Sequence, residues 1–211
     1  MIRRVGKKLR DQIGGATVIE FAIITPVMLT LIMGLGELTY QGYVQSILTG
    51  AVQKAGRDST IQGNGTQTAQ LDAVVIAQLA QLRSGWALDC SGNPPPASAT
   101  YCSTRKSYSN FITVGPEPFT DTAGTGVYDA SKDCFTDVNG NGTWDADPGT
   151  TGQGGANDVA VYSMKITYPR VFPVLQLVGL SPTATLTGMT TLKNQPWATQ
   201  NAYAPVQICP H

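Results

Sequence analysis

Histidine is almost absent from this sequence, and charged residues are few. The one histidine, His211, is the last residue, and charged side chains make up 13% of the 211 residues. The 14 basic and 14 acidic residues give a net charge of zero, so no excess of positive charge indicates binding to nucleic acid. Without a second histidine or a Cys-x-x-Cys pair, the sequence does not favour a zinc site.

The motifs of the common catalytic classes are also missing. The chain has no Gly-x-Ser-x-Gly nucleophile motif and no nucleotide-binding glycine loop, and its cysteines have no plausible catalytic base. The pair Asp145 and Asp147 could perform acid–base chemistry, but a polar turn explains these residues more simply. We therefore expect that the protein is not an enzyme.

A long apolar run near the N-terminus is the strongest feature that the sequence does contain. From Ala16 to Thr39 the only charged residues are Glu20 and Glu37. A helix of this length spans about 36 Å, which is enough to cross a bilayer. A basic leader precedes the run, and the positive-inside rule therefore predicts a cytoplasmic N-terminus. The leader's basic residues are Arg3, Arg4, Lys7, Lys8 and Arg10.

Glu20, near the start of this run, leaves three interpretations. A cleavable secretory signal would have a shorter apolar region with small residues at its far end, whereas Gly14 and Gly15 precede the run. A plain anchor explains Glu20 only as a favourable charge in the first helical turn. In the third interpretation the chain is cut after Gly15, so that Ala16 becomes the first residue and Glu20 the fifth.

The third interpretation agrees with a family resemblance. A basic leader, a glycine, an apolar helix and a glutamate at this spacing resemble a type IV prepilin signal. More narrowly, GATVIEFAIITPVML is similar to the start of the TadE-like family, pseudopilins or minor pilins of tight-adherence (Flp-type) pilus assembly. The resemblance implies cleavage between Gly15 and Ala16 by a prepilin peptidase. It also implies assembly with other pilin subunits, in which Glu20 pairs with a neighbour's new N-terminal ammonium.

The resemblance further implies a location and leaves one alternative function. The chain is expected in the inner (cytoplasmic) membrane, with a periplasmic C-terminal domain that can enter an extracellular pilus. The alternative is an uncleaved single-pass anchor that carries a periplasmic binding or scaffold domain. Near the C-terminus, Asn194-Gln195-Pro196-Trp197 resembles the family's Asn-Glu-Pro-aromatic ending, with Gln195 in place of the acid.

The periodicity of the apolar residues predicts an α+β fold. The helix continues beyond the membrane, so that residues 1–15 form the leader, 16–39 the span and 40–58 an amphipathic continuation, unless the helix breaks near Gly34 or Gly42. Residues 59–211 are predicted to form a loop-rich domain with a second helix at 68–82. Alternating strands at 158–168 and 184–193 predict an antiparallel sheet. The apolar connection between them is either a short helix capping the core or an exposed patch facing a partner or the membrane surface.

The segment DVNGNGTWDAD predicts a calcium loop. Oxygen-bearing side chains alternate as in an EF-hand loop, and a glycine occupies the turn position. However, Pro148 occupies the position of the expected bidentate glutamate, so a looser calcium loop and a metal-free polar turn both remain open. The predicted ligands are Asp137, Asn139, Asn141, Thr143, Asp145 and Asp147.

All four cysteines follow the apolar run. An even number of widely spaced cysteines beyond a membrane segment predicts two disulfides formed in an oxidising compartment. Three connectivities are possible, and proximity in sequence favours pairing Cys90 with Cys102 and Cys134 with Cys209.

Overall fold

The computed structural model describes residues 13–61, 67–92, 95, 98–172, 174, 176, 179–196 and 203–210. The basic residues of the predicted leader lie outside these ranges, and so does Trp197 of the family-like ending.

The described residues form an α+β fold, which confirms the fold class predicted from the sequence. The helices are α1 (Ile13–Ser59) and α2 (Thr68–Leu79), and Phe111–Thr113 forms a short 3₁₀ turn. The strands are β1 (Trp86–Leu88), β2 (Ala99–Tyr108), β3 (Phe119–Thr120), β4 (Cys134–Asp137), β5 (Thr150–Thr151), β6 (Val159–Pro169), β7 (Thr183–Lys193) and β8 (Val206–Ile208).

Helix α1 is continuous over 47 residues, or about 70 Å, so it has no break at Gly34 or Gly42. Its apolar first part is exposed: the most apolar window has a mean hydropathy of 2.2, and none of it is buried. In the part of the chain that the structure describes, α1 alone is long and apolar enough to cross a membrane. Its second part contributes to the core of the domain, with buried residues Val44, Leu48, Ala51, Val52 and Ala55.

Three threonines in the apolar part of α1 have their hydroxyls satisfied by the helix itself. Thr25, Thr30 and Thr39 each donate to the carbonyl oxygen four residues earlier, at 2.6, 2.7 and 2.8 Å. Such bonds remove the need for water, which a hydrocarbon environment does not supply. These three threonine side chains are therefore compatible with a membrane.

The main sheet has the order β1-β2-β6-β7, and β5 pairs with β2. Strands β6 and β7 pair antiparallel over their whole lengths, from Val159 opposite Lys193 to Pro169 opposite Thr183. Both strands therefore match the sequence prediction to within one residue at each end. The predicted inner face of β6 is buried, namely Ala160, Tyr162, Met164, Ile166 and Tyr168.

Thr167 and Phe172 differ from the simple pattern that the sequence predicts. Alternation places Thr167 on the face of β6 opposite Ile166 and Tyr168, yet Thr167 is also buried, and its hydroxyl forms a hydrogen bond with that of Thr185 at 3.1 Å. In the β6–β7 connection, Phe172 lies against α1, whereas Val171 and Leu180 are exposed. Among the described residues of this connection, Val174 and Gln176 have 3₁₀ conformation. The described part of the connection thus has helical residues as well as exposed apolar side chains.

Helix α1 packs closely on β7 because two glycines allow it. A Cβ atom at Gly56 would lie 2.5 Å from Cγ2 of Thr190, and one at Gly188 would lie 3.0 Å from Cγ of Leu48. The distance at Gly56 is shorter than real Cβ contacts and that at Gly188 is tighter than most, so glycine at these positions allows the close approach of the helix to the sheet. The contact runs along the second part of α1, in the same direction as β7.

Helix α2 is attached to the sheet by buried polar groups as well as by its apolar face. The Asp72 carboxylate pairs with Arg105 at 2.6 Å and accepts a hydrogen bond from Tyr162 Oη at 2.7 Å. The Arg105 guanidinium also lies over the Tyr162 ring, 4.2 Å from its centroid. Burial, and then the bond to Asp72, raise the pKa of the Tyr162 hydroxyl. Because each charge has its partners, the cluster avoids the large cost of an unpaired buried ion.

A smaller sheet of order β3-β4-β8 organises the loop-rich part of the domain. The disulfide between Cys134 and Cys209 links β4 to the residue after β8, and that between Cys90 and Cys102 links the end of β1 to β2. These are the two pairs that proximity in sequence favours.

Two glycine-to-alanine substitutions in α1 test the packing against β7. We expect Gly56→Ala to lower the melting temperature, because overpacking costs about 1–3 kcal/mol and outweighs a gain in helix propensity of about 1 kcal/mol. Gly50→Ala is the matched control and should raise the melting temperature, since nothing lies within 4 Å of a Cβ there. Thermal unfolding of the full chain in detergent measures both, and an unchanged or raised value for Gly56→Ala contradicts the packing.

Candidate functional site

The predicted processing and assembly residues lie together at the start of α1. Gly15 and Ala16 lie within the helix, and Glu20 follows Ala16 by about one turn. The Glu20 side chain is exposed on the apolar part of the helix. Among the described residues, no hydrogen bond or ion pair reaches its carboxylate. The structure thus presents Glu20 to whatever surrounds the helix.

Glu37, at the other end of the apolar run, has the opposite environment. It is 0% exposed, and its carboxylate accepts hydrogen bonds from the Phe172 backbone N–H at 3.0 Å and from Gln41 Nε2 at 3.1 Å. The Arg170 guanidinium lies 3.5 Å from it. The β6–β7 connection therefore satisfies this charge within the chain. Sequence reasoning did not assign Glu37 a role, although a second acid in the apolar run was a signal.

The predicted calcium loop is built around the Asp137 carboxylate. Asp137 is buried and accepts backbone N–H groups of Asn139 at 3.2 Å, Gly140 at 2.6 Å and Gly142 at 2.9 Å. Gly140 and Gly142 have φ values of +79° and +77°, a region that glycine adopts without strain. The loop thus makes the sharp turn that the glycine positions predict.

Asp145 closes this loop. Its Oδ2 atom accepts hydrogen bonds from the side-chain amides of Asn139 at 2.8 Å and Asn141 at 2.6 Å. The Asn141 Oδ1 atom accepts the backbone N–H and hydroxyl of Thr143, at 2.8 and 2.9 Å. The structure therefore brings together five of the six predicted ligand residues, and these five are linked by hydrogen bonds to one another.

Asp147, the sixth predicted ligand, points elsewhere. It pairs with Lys106 and accepts a hydrogen bond from Tyr108 Oη at 2.8 Å. Burial acts to raise the pKa of Asp147, but the bonds from Lys106 and Tyr108 outweigh it and leave that pKa below its usual value. Burial raises the pKa of Tyr108 to about 12, and Asp147 adds to the shift. In the described ranges, no group of three or more His, Cys, Asp or Glu side chains is arranged to hold a metal.

Glu117 is the residue of this region that sequence reasoning missed. It is 1% exposed, and its two carboxylate oxygens accept the backbone N–H groups of Val138 at 2.8 Å and Asp145 at 2.9 Å. Its carbonyl oxygen accepts the Trp144 indole N–H at 2.9 Å. Glu117 therefore holds both ends of the loop, and no local motif could reveal this because it precedes the loop by some twenty residues.

Asn194, the first residue of the family-like ending, has a structural role. Its buried side-chain amide donates to the carbonyl oxygens of Gln153 and Gly155, both at 2.8 Å. The backbone N–H of Gln195 donates to the carbonyl oxygen of Thr60 at 3.2 Å. The ending thus fastens the end of β7 to the end of α1 and to the turn before β6.

Comparison with known proteins agrees with the resemblance seen in the N-terminal segment. Residues 15–57 match the family model described as TadE-like protein. The match begins at Gly15, ends near the last turn of α1 and does not extend into the sheets. No curated protein and no solved structure matches the chain. The match confirms the family resemblance over residues 15–57.

Substitution of Glu117 tests its role in the loop. We expect Glu117→Gln to destabilise the fold by about 1–3 kcal/mol, because an amide offers one acceptor oxygen where the carboxylate offers two, and a buried N–H loses its partner. Thermal unfolding of the full chain in detergent, monitored by near-ultraviolet circular dichroism, measures the change in stability. Glu20→Gln alters an exposed glutamate and should leave the melting temperature unchanged. An equal change in melting temperature in the two variants contradicts this role for Glu117.

Proposed function

We propose that this protein is a minor pilin or pseudopilin that takes part in the assembly of a tight-adherence, type IV-like pilus. The observation that carries the proposal is the Glu20 carboxylate, exposed on an unburied apolar helix inside the segment that matches the TadE-like model. The role is structural: the chain contributes a subunit surface. The family-level match supports a non-catalytic function.

The contrast between Glu20 and Glu37 supports an intermolecular role for Glu20. Glu37 is neutralised inside the chain by Arg170 and two hydrogen bonds, whereas the described residues offer Glu20 no partner. A carboxylate at the centre of a bilayer costs about 2.5–3.5 kcal/mol or more, and the cost has the same sign nearer the end of the span, so a partner from another molecule would stabilise Glu20. The proposed partner is the N-terminal ammonium of a neighbouring pilin subunit.

Cleavage after Gly15 creates an N-terminal ammonium of this kind on each processed copy of the chain. A prepilin peptidase removes the basic leader, and Ala16 becomes the N-terminus of a helix whose exposed apolar surface can pack against other subunits. Before assembly the same surface lies in the inner membrane, with the sheet domain on the periplasmic side. The long single helix supports this scheme, because it connects the apolar segment and the domain without a joint.

Replacement of Glu20 separates processing from assembly. We expect both the parent chain and Glu20→Ala to begin at Ala16 when the membrane-extracted protein is sequenced from its N-terminus. Glu20→Ala should nevertheless be lost from the sheared pilus fraction, because the ion pair that sets the position of neighbouring helices is missing.

Two further variants sharpen this experiment. Glu20→Gln keeps the shape of the side chain without its charge, so it should behave like Glu20→Ala. Val18→Ala removes a nearby exposed apolar group and should assemble normally. A chain that retains Met1 and the leader would instead favour an uncleaved anchor bearing a binding or scaffold domain. Unimpaired assembly of Glu20→Ala contradicts the role of the carboxylate.

A bound calcium ion at the loop 137–145 is a second part of the proposal. The turn geometry and the oxygen-rich side chains of Asp137, Asn139, Asn141 and Asp145 support it, since calcium prefers oxygen ligands at alternate positions of a tight loop. Calcium would compete with the two amide hydrogen bonds that Asp145 accepts. Asp147 is left out of the ligand set because Lys106 and Tyr108 hold it.

Calorimetric titration of the full chain in detergent tests calcium binding. We expect heat of binding at up to millimolar calcium, the range of extracellular calcium modules, from the parent and from Asp147→Asn. Asp145→Asn should abolish most of this heat, because it removes a charged candidate ligand. The absence of heat from the parent rejects the site, and an equal loss in both variants contradicts the assignment of ligands.

A further inference from the structure

The connection between β6 and β7 runs from residue 170 to residue 182, and its residues Arg170, Val171 and Phe172 lie beside the end of the apolar part of α1. The Phe172 ring rests on Gly36, where a Cβ atom would be 3.4 Å from its Cε2 atom. The Phe172 backbone N–H donates to Glu37, and the Arg170 guanidinium lies beside the same carboxylate. These contacts fix the connection at the level of residues 36 and 37 of the helix.

The length of the helix places this level at a membrane boundary. From Ala16, the start of the predicted span, to Glu37 the helix rises about 32 Å, close to the thickness of about 30 Å of the hydrocarbon core of a bilayer. A helix that begins to cross at Ala16 therefore leaves the hydrocarbon near Glu37. Val171 and Phe172 would lie at the outer edge of the hydrocarbon.

The direction of the sheet agrees with this placement. Gln45 of α1 donates to the carbonyl oxygen of Thr187, and Gly56 lies against Thr190 farther along β7. Helix and strand thus run in the same direction, so that the Pro169–Thr183 end of the sheet is near the apolar segment. The Val159–Lys193 end is the far end, about 33 Å away for eleven residues of strand.

The surface at the near end is apolar and continuous with the span. Val171 and Leu180 of the connection are 49% and 51% exposed. A shallow groove joins this surface to the helix and is lined by Ile32, Leu35, Tyr43, Val171 and Phe172, among others. From residue 171 to 180 the sequence VFPVLQLVGL contains one polar side chain, Gln176. An apolar surface of this kind needs cover, and the span it adjoins is covered by lipid.

Aromatic residues surround the same level. Tyr43 of α1 is 56% exposed, and the half-buried Tyr40 and Trp86 make edge-to-face contacts with Tyr168, at centroid distances of 6.2 and 6.3 Å. Tyr168 itself is buried in the core. Tyrosine and tryptophan are enriched where a protein crosses the boundary between hydrocarbon and headgroups. Because Glu37 neutralises Arg170, no unpaired charge of this pair opposes insertion.

We propose that the β6–β7 connection inserts into the outer boundary layer of the bilayer and forms a second lipid contact beside the span. Val171 and Leu180 face acyl chains there, and Glu37 with Arg170 holds the connection against the helix. The near end of the domain is thereby held against the membrane before assembly, while the Val159–Lys193 end stays away from it. This proposal rests on the membrane insertion of α1 that the proposed function assumes.

Quenching of tryptophan fluorescence by brominated lipids tests the contact. The full chain is reconstituted at a low protein-to-lipid ratio into vesicles whose phospholipids carry bromine near the headgroup end of the acyl chains. Leu180→Trp reports on the connection. Leu31→Trp, in the exposed span, reports on insertion of α1, and Ile112→Trp reports on the far end of the domain, where Ile112 is 88% exposed. Each signal is the difference from the parent, which contains Trp86, Trp144 and Trp197.

The three variants separate the possible results. We expect Leu180→Trp to lose several-fold more of its added emission than Ile112→Trp, and Leu31→Trp to be quenched as well. Quenching of Leu31→Trp alone overturns the lipid contact while α1 remains inserted. In that case, blue-shifted emission from Leu180→Trp indicates that protein, such as a second copy, covers the connection, and red-shifted emission indicates water. If neither Leu31→Trp nor Leu180→Trp is quenched, the result contradicts the membrane insertion of α1 as well as the lipid contact of the connection.

Discussion

The packing of one half of α1 against β7 is the contact on which the rest of this structure depends. The helix has no joint between its exposed apolar half and its buried half, so the position of one determines the position of the other. The glycines at 56 and 188 bring the helix against the strand, and Leu48 and Val52 fill the space between them. The orientation of the apolar segment relative to the sheet is therefore set by this one contact.

Buried carboxylates are a second recurring device, and they act where regular secondary structure is scarce. Glu117, Asp133 and Asp137 each accept two or more backbone N–H groups from loops that would otherwise bury unsatisfied donors. Asp72 of α2 is likewise bonded, but its partners are the side chains of Arg105 and Tyr162 in the sheet. These residues are individually costly to bury and are stable there because every one is bonded. The aromatic group of Phe119, Tyr128, Phe135 and Trp144 supplies the apolar contacts of the same region.

The two glutamates of the apolar run show how far a local pattern can be interpreted. Both are charged residues in an apolar run, and a carboxylate inside the hydrocarbon of a bilayer raises the free energy of insertion. One finds its partners 133 to 135 residues later in the chain, in a connection whose sequence gives no sign of contact with α1. The other keeps its carboxylate exposed on the helix. Long-range partners of this kind follow from the order of strands in the sheet, and a single sequence does not reveal that order.

The sequence alone determined the elements whose signal is periodic: the apolar run, the amphipathic continuation to Asp58, the second helix and the two long strands. Local hydrophobic spacing is sufficient there, because burial on one face is what makes each element stable. It also indicated the family, through Gly15, Ala16 and Glu20. Only the tertiary structure decided that Asp147 leaves the predicted ligand set, that Glu117 closes the loop, and that the β6–β7 connection lies beside the end of the span. Each of these depends on a bond between residues far apart in the chain, and the free energy of such a bond exists only once the sheet has formed.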